Sequence, residues 1–169
     1  MMRILDPACG SKMFWFDKSA DGVVFGDVRR ESHTLCDGRS LVIRPDVQLD
    51  YTALPFGNGV FDMVVFDPPH MDSLGSNSWM AKKYGRLTGD WRAAMAQGFA
   101  ECFRVLSPNG SLIFKWCEFD VQVGEVVKLA GRDPLFGHKS GKRSNTHWLC
   151  FVNSVSHPEE SERLPLDNW

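Results

Sequence analysis

Long apolar runs, paired-cysteine motifs and internal repeats are all missing from this 169-residue sequence. No apolar run approaches the roughly 20 residues that a membrane-spanning helix needs. The first residues enter an apolar strand without the layout of a signal peptide. These absences predict a protein without membrane attachment that resides in the cytosol.

The cysteines are scattered, and no two of them have C-x-x-C spacing. This pattern indicates neither a zinc site nor a disulfide framework, so we expect reduced, mostly buried thiols and no bound metal. The five cysteines are Cys9, Cys36, Cys102, Cys117 and Cys150.

Charge is spread unevenly along the chain, whose formal net charge is -2. The last segment, residues 154–169, is polar, interrupted by proline and carries a net charge of -3. Its charged residues are Glu159, Glu160, Glu162, Asp167 and Arg163. We interpret residues 1–153 as a single domain and residues 154–169 as a peripheral or disordered acidic tail.

Apolar segments typical of strands alternate with segments of helical periodicity. MRILD, GVVFGDV, DVQLDYTALPF and FDMVVFD predict strands, and HTLCDGRSLVI predicts a small hairpin. DWRAAMAQGFAECFRVL predicts a helix capped by Asp90, followed by strand SLIFKW, helix VQVGEVVKLA and two antiparallel strands. We therefore predict an α/β fold, a Rossmann-like, doubly wound, mostly parallel sheet with an antiparallel C-terminal hairpin.

Four carboxylates fall at the predicted strand ends: Asp6, Asp27, Asp50 and Asp67. Ligands of doubly wound sheets bind outside the carboxyl ends of the strands. A single aspartate there is more often a turn or cap residue. Four in succession at one edge favour a binding site instead.

Two motifs in the right order carry a resemblance to a known family. ILDPACGS and FDPPH, with LSPNGSLIFKW after them, resemble motifs of class I S-adenosylmethionine-dependent methyltransferases. More narrowly, they resemble amino-group nucleic-acid methylases, especially small bacteriophage and prophage proteins that act like DNA adenine methylases. The resemblance spans roughly residues 2 to 153. It implies S-adenosyl-L-methionine as cofactor and the cytosol of a bacterium or phage-infected host.

The resemblance implies a cofactor site along the strand ends. The turn that follows the first strand would approach the methionine part, and a helix start nearby would offer its N–H groups to the carboxylate. Asp27 would accept from the ribose hydroxyls, and Asp50 from the adenine amino group, with Tyr51 or Leu54 against the ring. The implied cofactor-binding residues are Asp6, Pro7, Ala8, Cys9, Gly10, Ser11, Lys12, Asp27, Asp50, Tyr51 and Asp67.

Lys12 stands where the family usually has a second glycine. A residue other than glycine disfavours a left-handed backbone at this position. Lysine could instead offer its charge to the methionine carboxylate, and a solvated surface lysine is the alternative.

The catalytic group implied by the resemblance is Asp67, Pro68, Pro69 and His70. The Asp67 carboxylate and the Pro68 carbonyl would each accept one hydrogen of an exocyclic amine, which holds its nitrogen in line for methyl transfer. His70 stands where the family has Tyr or Phe to stack on the base. A helix cap or a hydrogen-bonding partner is the alternative role for His70.

Two basic clusters predict contacts with nucleic-acid phosphates, although each is also typical of a solvated loop. The first follows the FDPPH motif, and aromatic residues there could stack on a base or simply pack. The predicted nucleic-acid-binding residues are Trp79, Lys82, Lys83, Tyr84, Arg86, Lys139, Lys142 and Arg143.

The expected activity is methyl transfer to adenine N6 in DNA. The alternatives are an RNA amino-methyltransferase acting on adenine or guanine, a small-molecule methyltransferase, and an inactive module that binds cofactor or nucleic acid. No segment of the sequence suggests a separate target-recognition domain, so we expect these loops, the substrate's shape, a protein partner or a dimer to supply specificity.

Overall fold

A seven-stranded sheet organises the protein. The structure, a computed structural model, describes residues 2–35, 37–71, 78–141 and 145–154. The strands of this sheet, in the spatial order β5-β2-β1-β6-β7-β9-β8, are β1 (Ile4–Asp6), β2 (Val23–Asp27), β5 (Val47–Gln48), β6 (Phe61–Phe66), β7 (Leu106–Cys117), β8 (Phe136–Lys139) and β9 (Thr146–Val152). A separate two-stranded hairpin contains β3 (Glu31–Thr34) and β4 (Ser40–Ile43).

The pairing of these strands confirms the predicted fold. The strands β5, β2, β1, β6 and β7 pair in parallel, whereas β9 pairs antiparallel with both β7 and β8. The chain therefore has a mostly parallel α/β sheet with an antiparallel finish at its C-terminal end, and the predicted hairpin over residues 33–43 is also present.

Three helices complete the described structure: α1 (Trp79–Tyr84), α2 (Trp91–Val105) and α3 (Val123–Leu129). The helix α2 begins as predicted at Asp90, whose side chain accepts a hydrogen bond from the Ala93 N–H at 3.1 Å. Its apolar residues recur at helical spacing, so one side of the helix is buried.

The sheet has one face that we call the helix-covered face, because α2 and α3 lie on it. Its side chains interlock with α2 through aromatic rings, and the ring of Phe99 lies 4.9 Å from that of Phe114. The residues of this face include Leu5, Val64, Phe66, Leu112, Phe114 and Phe151, all fully buried. This face is the main hydrophobic core.

The opposite face, which we call the open face, presents the alternate residues of the same strands. Ile4, Met63 and Ile113 lie there, and each is only half-buried. Toward the carboxyl ends of the strands, residues 7–22 cross this face and cover it. The parallel strands thus end at a rim that has a helical core on one side and an irregular segment on the other.

Within the described residues, no helix is long and apolar enough to cross a membrane. The four cysteines that the structure describes are free thiols, and Cys36 lies outside those residues. Residues 155–169 of the predicted acidic tail also lie outside them. The division at residue 153 therefore stays a prediction.

Candidate active site

The four strand-end carboxylates lie on one rim, as predicted. Asp6 and Asp27 are the last residues of β1 and β2, and Asp67 directly follows β6. Asp50 comes two residues after β5. Because these strands are parallel and adjacent, their carboxyl ends meet at the same edge of the sheet.

Asp6 is fully buried beneath the segment that follows β1. Its carboxylate accepts hydrogen bonds from the Trp15 indole N–H at 2.8 Å and from the Ala8 N–H at 3.3 Å. Burial raises the pKa of Asp6 to about 7, and the nearby charges of Asp67 and Asp27 add to the rise. Asp6 therefore supports the turn from inside the rim, and its carboxylate has no exposed surface.

The predicted helix start after β1 is wrong. Residues 7–22 form a series of turns, and Gly10 and Lys12 both have left-handed backbones, with φ of 51° and 55°. A left-handed residue cannot continue a right-handed helix. The rings of Phe14 and Trp15 also hold the segment on the sheet, 5.6 Å from Trp148 and 5.1 Å from Phe25 respectively. The family pattern did not reveal these two aromatic contacts.

Lys12 adopts the left-handed backbone that a lysine was expected to disfavour. Its ammonium turns away from the rim, donates to the Lys18 carbonyl at 3.0 Å and lies 3.7 Å above the Phe25 ring. Asp46 is 3.7 Å away. Contacts with Lys18, Phe25 and Asp46 therefore hold Lys12, and its charge points away from the predicted carboxylate site.

Asp27 is enclosed by hydrogen-bond donors. One carboxylate oxygen accepts from the Gly10 N–H at 2.8 Å and from the Arg29 guanidinium at 3.3 Å. The other accepts from the Arg29 backbone N–H at 2.8 Å and from its Nε at 3.1 Å. Only 3% of Asp27 is exposed. The carboxylate thus lies where the family pattern placed it, but Arg29 now occupies the acceptor positions.

Arg29 also connects this carboxylate to α1. Its guanidinium donates to the Lys82 carbonyl, at the end of that helix, at 3.1 Å. Gly85 follows and packs so closely on Pro69 that an added Cβ would lie 2.8 Å from the Pro69 ring. The segment from Lys82 to Gly85 therefore lies across the rim.

Asp67 makes the strongest contact of the predicted catalytic group, with a partner from a neighbouring strand. The Lys115 ammonium, on β7, lies 2.6 Å from one Asp67 carboxylate oxygen. The other oxygen forms no hydrogen bond with the described residues. Lys115 also lies between the rings of Phe14 and Trp148, at 5.6 and 5.8 Å from their centroids.

His70 is buried, with 5% of its surface exposed. Its ring lies 6.0 Å from the rings of both Tyr84 and Trp116, and its Nδ1 has no hydrogen-bond partner. Burial holds the pKa of His70 below its usual value, so the imidazole is neutral near pH 7. In this arrangement Tyr84 covers the ring that the resemblance assigned to base stacking.

Two pockets lie on the rim. The inner pocket has a volume of about 30 Å³, and Arg29 forms part of its wall. Most of its other walls are predicted site residues, namely Ala8, Cys9, Gly10, Ser11, Asp67, Pro68, His70, Lys83 and Tyr84. Pro7 is buried at the start of this turn. Burial raises the pKa of the Cys9 thiol to about 12, which makes it a poor nucleophile.

The outer pocket has a volume of about 260 Å³ and contains Asp50, Tyr51, Pro69 and Arg86, all predicted site residues, together with Val28. Tyr51 contacts the core, 5.3 Å from the Phe66 ring, and burial raises its pKa to about 12. The predicted site residues are therefore divided between two pockets, and Arg29 lines the inner one.

The basic clusters are placed less uniformly. Trp79 is exposed on α1, where Lys83 lies near the Trp79 and Tyr84 rings. Lys139, in contrast, donates to Glu118 at 2.9 Å. His147 and Lys139 together lower the pKa of Glu118 to about 2. Lys142 and Arg143 lie outside the described residues.

Two rim residues were missed in the sequence, although each left a signal. Arg29 stands two residues after a strand-end aspartate, which is the spacing of an aspartate that accepts from its own turn. Lys115 is the one charged residue in the apolar strand SLIFKW. A lysine in such a strand, near its carboxyl end, needs a carboxylate partner.

The strand order and the antiparallel finish are those of the class I S-adenosylmethionine-dependent methyltransferase fold, and solved structures agree. The chain is similar to the PH0226 protein from Pyrococcus horikoshii OT3, with a TM-score of 0.56 and 18% identity over 89% of this chain and 81% of that one. It is also similar to the N-methyltransferase NodS from Bradyrhizobium japonicum WM9, with a TM-score of 0.54 and 13% identity over 91% and 86%.

A third neighbour is a TehB-like SAM-dependent methyltransferase from Corynebacterium glutamicum, with a TM-score of 0.52 and 16% identity over 89% of this chain and 79% of that one. No protein-family model matches the chain. No curated protein matches it in sequence either. At these identities the likeness establishes the fold, and the chemistry must be argued from the rim itself.

Proposed function

We propose that this protein is a methyltransferase that uses S-adenosylmethionine to methylate an exocyclic amino group of a nucleic-acid base. The observation that carries the proposal is the inner pocket. There the turn from Ala8 to Ser11 and the ledge of Asp67 and Pro68 form walls of the same space. A donor bound along the turn would therefore meet an amine held by the ledge.

The hydrogen-bond acceptors of the rim fit the cofactor once the Arg29 side chain leaves Asp27. The Asp27 oxygens now accept from the Arg29 side chain and would then accept from the ribose hydroxyls, since the guanidinium and the hydroxyls are all hydrogen-bond donors. In the outer pocket, Asp50 would accept from the adenine amino group, with Val28 and Tyr51 against its ring. The two pockets would then become one cleft. When bound, the cofactor supplies an electrophilic methyl group on a sulfonium.

Asp67 and Lys115 position the acceptor amine. Lys115 holds one Asp67 oxygen, which leaves the other oxygen to accept an amino hydrogen. The Pro68 carbonyl accepts the second hydrogen, and proline fixes the backbone that presents it. Two acceptors on one nitrogen orient its lone pair toward the methyl group and favour a more tetrahedral, more nucleophilic amine.

The target we propose is adenine N6 in DNA, as in the small phage methylases that the sequence resembles, and we place the protein in the cytosol. Lys83 and Tyr84 support a nucleic-acid target, because α1 brings a cation and an aromatic ring to the wall of the inner pocket. RNA is the second candidate. One structural neighbour, with a TM-score of 0.50 and 16% identity over 94% of this chain and 37% of that one, is the T. thermophilus 16S rRNA N2 G1207 methyltransferase.

An inactive module that binds nucleic acid is the competing proposal, and two observations favour it. Arg29 occupies the acceptors of Asp27, and Tyr84 covers His70. Either contact, if permanent, would exclude the cofactor or the base.

Methyl transfer from isotopically labelled S-adenosylmethionine to separate DNA, RNA and small-molecule pools tests the proposal. Mass spectrometry of the nucleosides then identifies the product, and we expect N6-methyladenine from DNA. Asp67→Asn should lower the rate at least about 100-fold. The amide has one oxygen, which cannot both pair with Lys115 and accept a hydrogen bond from the amine as the two carboxylate oxygens would. Cofactor binding, measured by calorimetry, should persist in this variant.

The matched control is Asp62→Asn, which removes an exposed carboxylate from β6, the strand that precedes Asp67. It should transfer methyl groups at the normal rate. Full activity of Asp67→Asn would exclude the proposed role of the ledge, and the absence of product from every pool would favour the inactive module.

A further inference from the structure

A third concave site lies away from the rim, beside β2, and we call it the basic pocket. Its volume is about 460 Å³. Val23 and Phe25 form its apolar floor. The charged residues that line it are Lys12, Lys18, Arg30, Arg44 and Asp46.

Charge in the basic pocket is opposite to that of the whole chain. Four cations and one carboxylate line it, whereas the chain as a whole has a formal net charge of -2. The side chains of Lys18 and Arg44 have no ion-pair partner within the parts of the chain that the structure describes. Such an excess of cations in a concave site attracts a polyanion.

The walls of the basic pocket are held in place by the backbone. Arg30 donates to the Pro45 carbonyl at 2.8 Å, and Lys12 donates to the Lys18 carbonyl at 3.0 Å. These bonds use main-chain acceptors and fix two cations, of which Lys12 also has Asp46 at 3.7 Å. A pre-ordered cation loses less entropy when it binds an anion.

One segment joins the basic pocket to the rim. Residues 7–22 supply Gly10 to the inner pocket and Lys12 to the basic pocket. Two residues of chain span at most about 7 Å, so the two sites are close enough for one polynucleotide to contact both. Between Lys12 and Lys18 stands Phe16, whose side chain is fully exposed. An exposed aromatic ring on the same segment as two cations can stack on a base of a single strand.

We propose that the basic pocket binds a backbone phosphate of the polynucleotide substrate, with Phe16 stacking on an adjacent unpaired base. The proposal rests on the proposed function and names where the strand is held outside the inner pocket. Lys18 and Arg44 contact the phosphate directly, and Lys12 and Arg30 set the surrounding potential.

The test is binding of a fluorescein-labelled 20-nucleotide single-stranded DNA to the full chain, without cofactor, from 50 to 250 mM KCl. The double variant Lys18→Ala with Arg44→Ala should bind about tenfold more weakly at 50 mM KCl. The slope of log affinity against log salt should fall by about 0.7, since the variant loses one phosphate contact. Phe16→Ala should weaken binding about tenfold without changing that slope.

The control is Arg3→Ala with Lys128→Ala, which removes the same charge at the start of β1 and on α3. The inference is overturned if the basic-pocket variant has the same affinity and salt slope as this control. It is also overturned if the unaltered protein does not bind the oligonucleotide. A second arm uses inorganic phosphate as competitor. If 10 mM phosphate displaces the oligonucleotide fully at constant ionic strength, the pocket is a small-anion site and the polynucleotide inference is wrong.

Methyl transfer measured on the same oligonucleotide separates the two proposals. If methyl transfer continues and the basic-pocket variant binds the oligonucleotide normally, only the proposal for the basic pocket is overturned. Weakened binding in that variant, with no transfer by any form of the protein, would support the pocket and contradict the proposed function.

Discussion

The two faces of the seven-stranded sheet are covered in different ways. On the helix-covered face, aromatic rings of α2 and the strands interlock, and the side chains are fully buried. On the open face, residues 7–22 supply turns, and Ile4, Met63 and Ile113 stay half-buried. The segment on the open face also builds walls of both the inner pocket and the basic pocket. Tight packing is thus concentrated on the helix-covered face, whereas the segment on the open face contributes walls to two pockets.

Adjacent residues of β7 provide the sharpest test of this difference. Leu112→Ala should lower the free energy of unfolding by about 3–5 kcal/mol, because Leu112 is fully buried on the helix-covered face. Ile113→Ala should cost only about 1–2 kcal/mol, because Ile113 is half-buried on the open face. Urea denaturation measures both values. Equal costs would mean that the two faces are packed alike.

Asp6 links the open face to pH. Burial raises its folded-state pKa from 3.8 to about 7, so between these values the folded protein keeps a proton that the unfolded chain releases. This group therefore lowers stability as pH rises through that window, by up to about 4 kcal/mol. Asp6→Asn should show a flatter profile of unfolding free energy from pH 4 to 8.

The slope of that profile is the decisive quantity. Asp6→Asn should also lower the free energy of unfolding by about 1 kcal/mol at every pH, because the amide oxygen can accept from Ala8 or from Trp15 but not from both. A variant profile parallel to that of the unaltered protein would show that Asp6 titrates normally in the folded state.

Arg29 should give the smallest of the three expected effects, and that effect is on cofactor binding. Arg29→Ala frees the Asp27 oxygens and removes the contact with α1. S-adenosylmethionine should therefore bind about tenfold more tightly, which is about 1.4 kcal/mol, as measured by calorimetry. The control Arg39→Ala removes the same charge from the exposed hairpin and should bind as the unaltered protein does. Weaker binding by Arg29→Ala would make Arg29 a cofactor ligand and not a competitor.

The sequence and the structure agree where a local pattern determines the outcome. Apolar runs that end in aspartate predicted the rim, and helical spacing after Asp90 predicted α2. The sequence did not reveal contacts that depend on the assembled sheet. Lys115 meets Asp67 because β6 and β7 pair in register, across 48 positions of sequence. Arg29 reaches α1 across 53 positions, which no local spacing encodes.

The missing helix after β1 has a different cause. The family pattern covers the strand and its turn, and the residues beyond that turn pack by their aromatic rings. Lys12 has a strained left-handed backbone, and its contacts with Lys18 and Phe25 offset the cost of that strain. Cys9, Met13, Phe16 and Ala20 recur at helical spacing, so the sequence alone did not exclude a helix over residues 7–22.

Gly98, in the middle of α2, ties the outer pocket to the core. An added Cβ there would lie 2.7 Å from the Tyr51 ring and 3.2 Å from Phe66. Only a hydrogen at this point lets the tyrosine lie flush against the helix while its other edge borders the pocket. The Tyr51 ring proposed to meet adenine is therefore fixed against α2, and it moves less than the turns around it.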